Sequence, residues 1–241
     1  GGTKAGPQGA NGSVFARKLV MLTPPQGVDI RDAALERVRH FWEYLDAVVE
    51  LMPADVHDLI YAHVSHLPHL IAYAANGCFA QPPERLARFL RLAASDPALW
   101  TDIFLHNQQY TLLALRNYNA MIQHIAGELT EGEASDTAAD ITLAQEVLFP
   151  RIAASCLIAT VSMLERQSGQ RLARYSGAGF ADVASPAAET PEEEMEQISA
   201  HAPAVHEILT RYAHKLESLA AALEAGQPKQ LLALLQEMCS E

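Results

Sequence analysis

The chain has 241 residues, a formal net charge of −12 and an isoelectric point near 5.2. An acidic chain lacks the basic face that nucleic acids and anionic membrane surfaces require, although a single Arg or His can still hold a small anion. Cys78, Cys156 and Cys239 are odd in number and far apart, which predicts free thiols in a reducing compartment. No signal segment and no membrane-spanning apolar run are evident, so we expect a cytoplasmic protein with no nucleic-acid or membrane partner.

The first 52 residues predict a strand–helix–strand unit. In chain order we expect a glycine-rich loop at 1–13, a buried strand at 18–24, a helix capped by Asp29 or Asp32, and a second strand at 47–52. Two strands joined by a helix fit one parallel crossover. Such a unit cannot cover both faces of a sheet alone, so we interpret residues 1–52 as the edge of a larger parallel sheet.

Residues 53–241 show no alternation typical of strands, so we predict an all-helical part. The expected elements are a helix from Pro53 to Gly77 with a kink at Pro68, a helical segment at 86–94, a long helix at 100–129, an acidic linker at 131–139, a helix at 141–167, an acidic loop or a capped helix start at 184–194, and helices at 197–224 and 228–238.

A four-residue sequence, Arg-Leu-Ala-Arg, occurs at 85–88 and again at 171–174. Each copy follows a long apolar helix and precedes a break and another long helix. One interpretation is a duplicated helical unit, 53–129 and 140–238, whose second copy lacks the imidazoles of the first. The other is coincidence among helices rich in Ala, Leu and Arg.

Three imidazoles, His63, His66 and His69, lie at intervals of three residues beside Ser65 and Pro68. Histidine titrates near neutral pH and can bind metals. No Cys or His-Glu-x-x-His partner accompanies these residues, and six residues of helix turn His63 well away from the face of His69, which disfavours a metal site. We favour a polar pocket lined by His66 and His69, while satisfied core histidines remain the alternative.

Arg91 lies in a strongly apolar stretch, where an unpaired cation is costly. Its partner could be an internal carboxylate, such as Asp96 or Asp102, or the carboxylate of a ligand held by the guanidinium. Trp100, with Asn107 about two turns further on, is either a core residue or a wall of the same site.

Several stretches, taken together, resemble the prephenate dehydrogenases and the related arogenate (cyclohexadienyl) dehydrogenases. These are Leu22–Pro24, His57-Asp58, Val64–Ala74 and Leu92–Ile103 with Asn107. The run Ser-His-Leu-Pro-His and the run Ala-Ser-Asp-Pro-Ala-Leu-Trp-Thr-Asp-Ile are the most specific parts. The likeness covers about residues 1–127. Beyond it, Tyr175–Asp182 is similar to the glycine-rich segment that family members carry just before their substrate arginine.

The resemblance implies a fold that is mainly α. Residues 1–52 would be a β-α-β remnant of a nicotinamide-binding Rossmann domain, and 53–241 a helical dimerisation domain like the C-terminal part of 6-phosphogluconate dehydrogenase. These enzymes form homodimers and convert prephenate, with loss of carbon dioxide, to 4-hydroxyphenylpyruvate on the route to tyrosine. NAD or NADP accepts the hydride. The substrate is prephenate or arogenate.

The resemblance also implies roles for individual residues, each assigned by the family position that it matches. Arg91 matches the arginine that binds a substrate carboxylate, and His66 and His69 match two imidazoles at the substrate entrance. We expect Ser65 and Trp100 to line the same substrate-binding site.

Three departures from the family limit what this chain is expected to do. The sequence contains no Gly-x-Gly-x-x-Gly fingerprint, and the catalytic histidine of the family would lie upstream of Gly1. Residues 85–90 stand where the family has glycines and an aspartate. We therefore expect no catalytic residue, no metal and no bound cofactor here, but substrate binding and dimerisation. The alternative is a non-catalytic helical module that binds an aromatic carboxylate or a protein partner.

Overall fold

The computed structural model describes residues 12–29, 31–129, 137–187 and 190–240, without the side chains of 191–194 and 240. Most of the predicted loop at 1–13 and of the predicted linker at 131–139 lies outside these ranges. The chain divides into two compact units, 1–60 and 61–241. Our sequence boundary after Met52 lies slightly earlier, at the end of the second strand.

The first unit contains a parallel β-α-β element, as predicted. Strand β1 (Leu19–Leu22) and strand β2 (Val48–Leu51) pair in parallel, with Leu19 opposite Val48, and helix α1 (Ala33–Tyr44) connects them. Asp32 rather than Asp29 caps α1. Its Oδ1 accepts hydrogen bonds from the backbone N–H groups of Ala34 and Leu35 at 2.8 and 3.2 Å, so the first turn of the helix is stabilised.

Every regular element that the structure describes after β2 is helical, which confirms the predicted fold class. The elements are α2 (Ala54–Tyr61), a π-helical turn (Ala62–His66), α3 (Leu67–Asn76), 3₁₀ turns (Glu84–Leu86 and Arg91–Ala94), α4 (Pro97–His106), α5 (Gln108–Glu128), α6 (Ala138–Leu143), a second π-helical turn (Ala144–Leu148), α7 (Phe149–Ser168), a 3₁₀ turn (Leu172–Tyr175), α8 (Ala178–Ala184), α9 (Pro191–Ala200), α10 (Ala202–Ala225) and α11 (Pro228–Ser240).

The irregularity expected at Pro68 takes the form of the first π-helical turn, which ends directly before α3. Proline has no N–H, and its ring collides with the carbonyl group four residues earlier in a regular α-helix. A wider turn relieves this collision. Such π-helical turns are rare and occur often at functional sites.

Three of the predicted helices are wrong in detail. Residues 86–94 form only short 3₁₀ turns. The predicted helix at 100–129 is interrupted at Asn107, whose φ and ψ angles are −117° and 39°, and the predicted helix at 197–224 is interrupted at His201, with −119° and 27°. Both interruptions leave apolar periodicity intact on either side, which explains why the sequence pattern did not show them.

Long helices of the second unit form its core. Helix α5 packs on α10 and α7, and α10 also packs on α3. The largest fully buried side chains include Tyr118 and Tyr212. Helix α11 packs on α3 and α4, where Asn76 Nδ2 donates a hydrogen bond to the Met238 carbonyl oxygen at 2.7 Å. The apolar faces of α5, α7 and α10 are therefore largely covered within one chain.

One helical run, 138–168, is long and apolar enough to cross a membrane by length and composition. We expected no such run, so that expectation is corrected. Of its most apolar window, 56% is buried inside the protein. A core helix of a helical bundle gives the same pattern, and a single helix of this kind is weak evidence for a membrane span.

Candidate functional site

The first π-helical turn and α3 carry the imidazoles. His66 is buried, and its Nδ1 lies 3.0 Å from Thr111 Oγ1 and 3.4 Å from Asn107 Nδ2. An amide nitrogen can only donate, so Nδ1 of His66 accepts and the proton of the neutral ring lies on Nε2. The interruption of the helix at Asn107 thus contributes a polar contact to His66.

His69 is held in the opposite tautomer. Its Nδ1 lies 2.8 Å from the carbonyl oxygen of Ser65. A carbonyl oxygen can only accept, so Nδ1 donates and Nε2 of the neutral ring is an acceptor. The imidazole stacks on the indole of Trp100, with ring centroids 3.4 Å apart and planes at 25°, and the ring of His66 lies 6.2 Å from the same indole.

The environment keeps His69 uncharged. Burial lowers its pKa to about 4, the hydrogen bond to Ser65 opposes this shift, and electrostatic interactions with His66 and Arg91 lower the pKa further. His69 is therefore neutral at pH 7. Since the charge of Arg91 reaches its ring, the arginine and the imidazole belong to one electrostatic environment.

Arg91 is bound to a carboxylate from a distant part of the chain. Its Nε donates to Asp182 Oδ2 at 2.6 Å, and Nε of Arg88 donates to Oδ1 of the same residue at 2.9 Å. Burial by itself would raise the pKa of Asp182. The hydrogen bonds and charges of the two arginines outweigh burial and hold this pKa below its usual value.

Arg91 remains accessible although it is paired. About half of its side chain, 54%, is exposed, against 12% for Asp182. A guanidinium carries five N–H donors in a fixed plane, and Asp182 takes up only part of them. The arginine is thus oriented by Asp182 and can accept a second carboxylate from solvent.

The partners that we proposed for Arg91 from the sequence, Asp96 and Asp102, are wrong. Asp96 caps α4, where its Oδ1 accepts from the backbone N–H of Ala98 at 2.9 Å, and Asp102 is exposed. Sequence reasoning missed Asp182 as the partner. A signal was present, because Asp182 ends the segment that resembles the glycine-rich stretch before the family's substrate arginine.

The residues predicted for the site are thus brought near one another. His66, His69 and Trp100 form one aromatic cluster, Ser65 fixes His69 through its carbonyl oxygen, and Arg91 acts on His69 through its charge. Within the described ranges, no group of three or more His, Cys, Asp or Glu side chains could hold a metal ion. The arrangement can bind an anion beside a flat aromatic wall.

Two further cavities are lined by other residues than Ser65, His66, His69, Arg91 and Trp100. One of about 600 Å³, in the second unit, is lined by Arg85, Leu86, Arg88, Phe89, Glu146, Val147, Pro150, Arg151, Ser185, Pro186, Ala187, Thr190 and Gln197. The other, of about 860 Å³, lies in the first unit at the carboxyl ends of β1 and β2 and is lined by residues 23–27 and 51–55.

The described residues form a mainly helical domain that follows a parallel β-α-β element. The chain matches the family described as "Prephenate dehydrogenase, dimerization domain" over residues 53–141 and again over 138–237. It therefore belongs to the prephenate dehydrogenase family, and it carries the dimerization domain.

Individual relatives agree with the family. A cyclohexadienyl dehydrogenase of Zymomonas mobilis is 30% identical over 132 residues, which cover 50% of this chain and 44% of the relative. A prephenate dehydrogenase of Bacillus subtilis is 30% identical over 125 residues (46% and 33%), and one of Lactococcus lactis is 25% identical over 142 residues (54% and 38%). The chain thus spans less than half the length of each relative. No solved structure matches significantly.

Proposed function

We propose that this chain is the substrate-binding and closing part of a cytoplasmic prephenate dehydrogenase. The whole enzyme would catalyse oxidative decarboxylation of prephenate to 4-hydroxyphenylpyruvate with NAD or NADP, in tyrosine biosynthesis. Prephenate or arogenate would be bound through a carboxylate. Family membership supports the class of enzyme, and the arrangement around Arg91 supports the assigned part.

The observation that carries the proposal is the guanidinium of Arg91, which Asp182 orients and whose charge acts on His69, the imidazole stacked on Trp100. A planar guanidinium binds a carboxylate through two parallel hydrogen bonds. The neutral imidazole and the indole offer a flat surface for a ring. A cyclic acid matches both features.

The nicotinamide cofactor is not matched by the residues of this chain. The cavity at the carboxyl ends of β1 and β2 lies where α/β sheets bind their ligands. However, the glycine fingerprint that lets a pyrophosphate approach the backbone is absent from the sequence. We assign no cofactor-binding residue and no catalytic residue in this chain.

Calorimetric titration tests the proposed site. We expect saturable binding of prephenate or arogenate to the chain and its loss in Arg91→Ala. Arg116→Ala is the matched control, because the side chain of Arg116 is also 54% exposed and also pairs with one carboxylate, that of Glu224. Equal binding by wild type and Arg91→Ala would overturn the assignment of Arg91.

The alternative is a non-catalytic helical module that binds another carboxylate or a protein. Absence of binding for both substrates would favour this module and contradict our proposal. A second measurement follows NADH formation from prephenate. We expect none from this chain, because the cofactor fingerprint is missing, and measurable turnover would contradict that part of the proposal.

Pairing of two dimerization domains is the second part of the proposed function, since the family is named for dimerization. Two arrangements would satisfy it: a homodimer of two chains, as predicted from the sequence, or pairing of two similar halves within one chain. The second agrees with the coverage of the long apolar helices inside one chain.

A further inference from the structure

Two stretches of the second unit repeat the same order of elements. A π-helical turn of five residues, 62–66, leads into α3, which opens with Leu67-Pro68. A π-helical turn of five residues, 144–148, leads into α7, which opens with Phe149-Pro150. The family also matches twice, at 53–141 and 138–237.

The likeness continues after the Arg-Leu-Ala-Arg sequences. Helices α4 and α9 each have ten residues and each begin with a proline. Each ends at a residue with nearly the same backbone angles, Asn107 in one case and His201 in the other, and a long helix follows at once. Coincidence does not account for matched interruptions of this kind, so α5 and α10 are equivalent helices of two copies.

Equivalent residues of the two copies meet each other. Tyr118 is the eleventh residue of α5, and Tyr212 is the eleventh residue of α10. Both are fully buried, and their hydroxyl oxygens lie 2.9 Å apart. A residue contacts its own equivalent only where a two-fold axis passes, so these tyrosines mark an approximate two-fold axis between the copies.

Contacts away from this axis are reciprocal. At one end, Gln108 at the start of α5 donates to the carbonyl oxygen of Leu223 near the end of α10. At the other end, Nδ1 of His206, near the start of α10, lies 2.9 Å from the carbonyl oxygen of Ala126, near the end of α5. Likewise α5 packs on α7 while α10 packs on α3. In an isologous interface each surface contacts its counterpart in this way.

We propose that the second copy, residues 138–237, takes the place of a partner subunit. The α5–α10 pair is then a dimer interface built into one chain, and the chain is monomeric in solution. This inference rests on the contacts between the copies and does not depend on the proposed substrate.

The two copies do not carry the same chemistry. His66 and His69 of the first copy stand at the positions of Leu148 and Arg151 in the second, counted from the proline of each helix. The second copy instead supplies Asp182, which orients Arg91 of the first copy. Together with the proposed function, this gives one substrate site for each chain, completed by the copy that lacks these imidazoles.

Sedimentation equilibrium of the chain tests the arrangement directly. We expect the mass of one chain, 26.2 kDa, across a wide range of protein concentrations. The thermal midpoint should also be independent of concentration, because a contact within one chain involves no association. A mass of two chains, or a midpoint that rises with concentration, would overturn the proposal.

A double-mutant cycle tests the axis. Tyr118→Phe should lower the folding equilibrium constant by about tenfold, since it leaves the buried hydroxyl of Tyr212 without this partner. Tyr212→Phe should lower it less, since the hydroxyl of Tyr118 still donates to the carbonyl oxygen of Ala153 at 3.2 Å. The double variant should lower the folding equilibrium constant by clearly less than the product of the two single effects, because no hydroxyl remains unpaired. Tyr110→Phe, on the same α5, is the control and should not couple to Tyr212→Phe. Additive effects at Tyr118 and Tyr212 would contradict the proposed contact.

Discussion

Arg91 and Asp182 are joined by a hydrogen bond of 2.6 Å although they lie 91 residues apart in the sequence. Arg91 stands in a 3₁₀ turn after α3, and Asp182 stands in α8. The carboxylate also accepts from Arg88, so one mostly buried anion fixes two half-exposed cations. The orientation of the proposed substrate arginine is therefore set by the second half of the chain.

Replacing Asp182 with Asn should destabilise the fold and weaken substrate binding. The amide keeps the shape but loses the charge that holds Arg88 and Arg91. We expect a loss of about 1–2 kcal/mol in the free energy of unfolding at pH 7, at the lower end for a charged hydrogen bond because both arginines are partly exposed. Urea unfolding measures this difference.

The pH dependence of that difference has a definite sign. The pKa of Asp182 is lower in the folded than in the unfolded protein, so its contribution is present above about pH 4 and declines as the pH falls through the folded-state value. The difference in the free energy of unfolding between wild type and Asp182→Asn should disappear in acid. Asp102→Asn, at an exposed aspartate, is the control and should change little. If that difference stays the same in strong acid, the explanation by charge is contradicted.

His69 should make the folded protein sensitive to mild acid. Its pKa is about 4 in the folded state against 6.5 for a free histidine, so protons bind preferentially to the unfolded chain. The contribution of neutral His69 to the free energy of unfolding is fully present above about pH 6.5. It falls by up to about 3 kcal/mol as the pH approaches 4. The free energy of unfolding of wild type and His69→Gln, measured between pH 7 and 4, should show a steeper decline for wild type.

An NMR titration of the histidine rings checks the same prediction at the residue itself. The ring of His69 should remain neutral well below pH 6. His124→Gln is a suitable control for the stability curve, because the side chain of His124 is 75% exposed. If His69 titrates like a free histidine, the described burial of its ring against Trp100 is wrong.

Gly77 and Gly127 should respond in opposite directions to alanine. A Cβ at Gly77 would lie 2.9 Å from Cγ of Met238, whereas one at Gly127 meets nothing within 4 Å. Since Met238 is fully buried, Gly77→Ala should cost about 1–3 kcal/mol through overpacking. Gly127→Ala should stabilise helix α5 by about 0.5–1 kcal/mol. Chemical denaturation of both variants measures the two effects.

A second substitution shows whether the contact with Met238 is the cause. Met238→Ala removes the obstructing side chain, so the cost of Gly77→Ala should shrink in that background. An unchanged cost would mean that the end of α3, not the packing of α11, requires the glycine.

Local physical chemistry made much of the fold predictable from sequence. The strand–helix–strand order and the α-helical character beyond Met52 follow from apolar periodicity, which depends only on neighbouring residues. Pro68 indicated an irregular helix, because its missing N–H acts on its own turn. Asp32 could be predicted as a candidate helix cap for the same reason, since a cap bonds to backbone groups two and three residues away.

Other features are decided by residues far apart in the chain. Gly77 ends α3, as predicted, but its φ is −68°, so the left-handed conformation that glycine allows is not used there. The close approach of Met238 is what leaves no room for a side chain. The interruption at Asn107 was hidden for a similar reason, since a short helix break does not disturb the apolar pattern.

The sequence by itself predicted Arg91 as the residue that binds a carboxylate, with His66, His69 and Trp100 at the same site. Only the tertiary structure decided that Asp182 orients Arg91 and that Tyr118 meets Tyr212. The physical reason is that side-chain pairs remote in sequence depend on how helices pack, and any of several carboxylates satisfies the electrostatic requirement of an arginine until packing selects one.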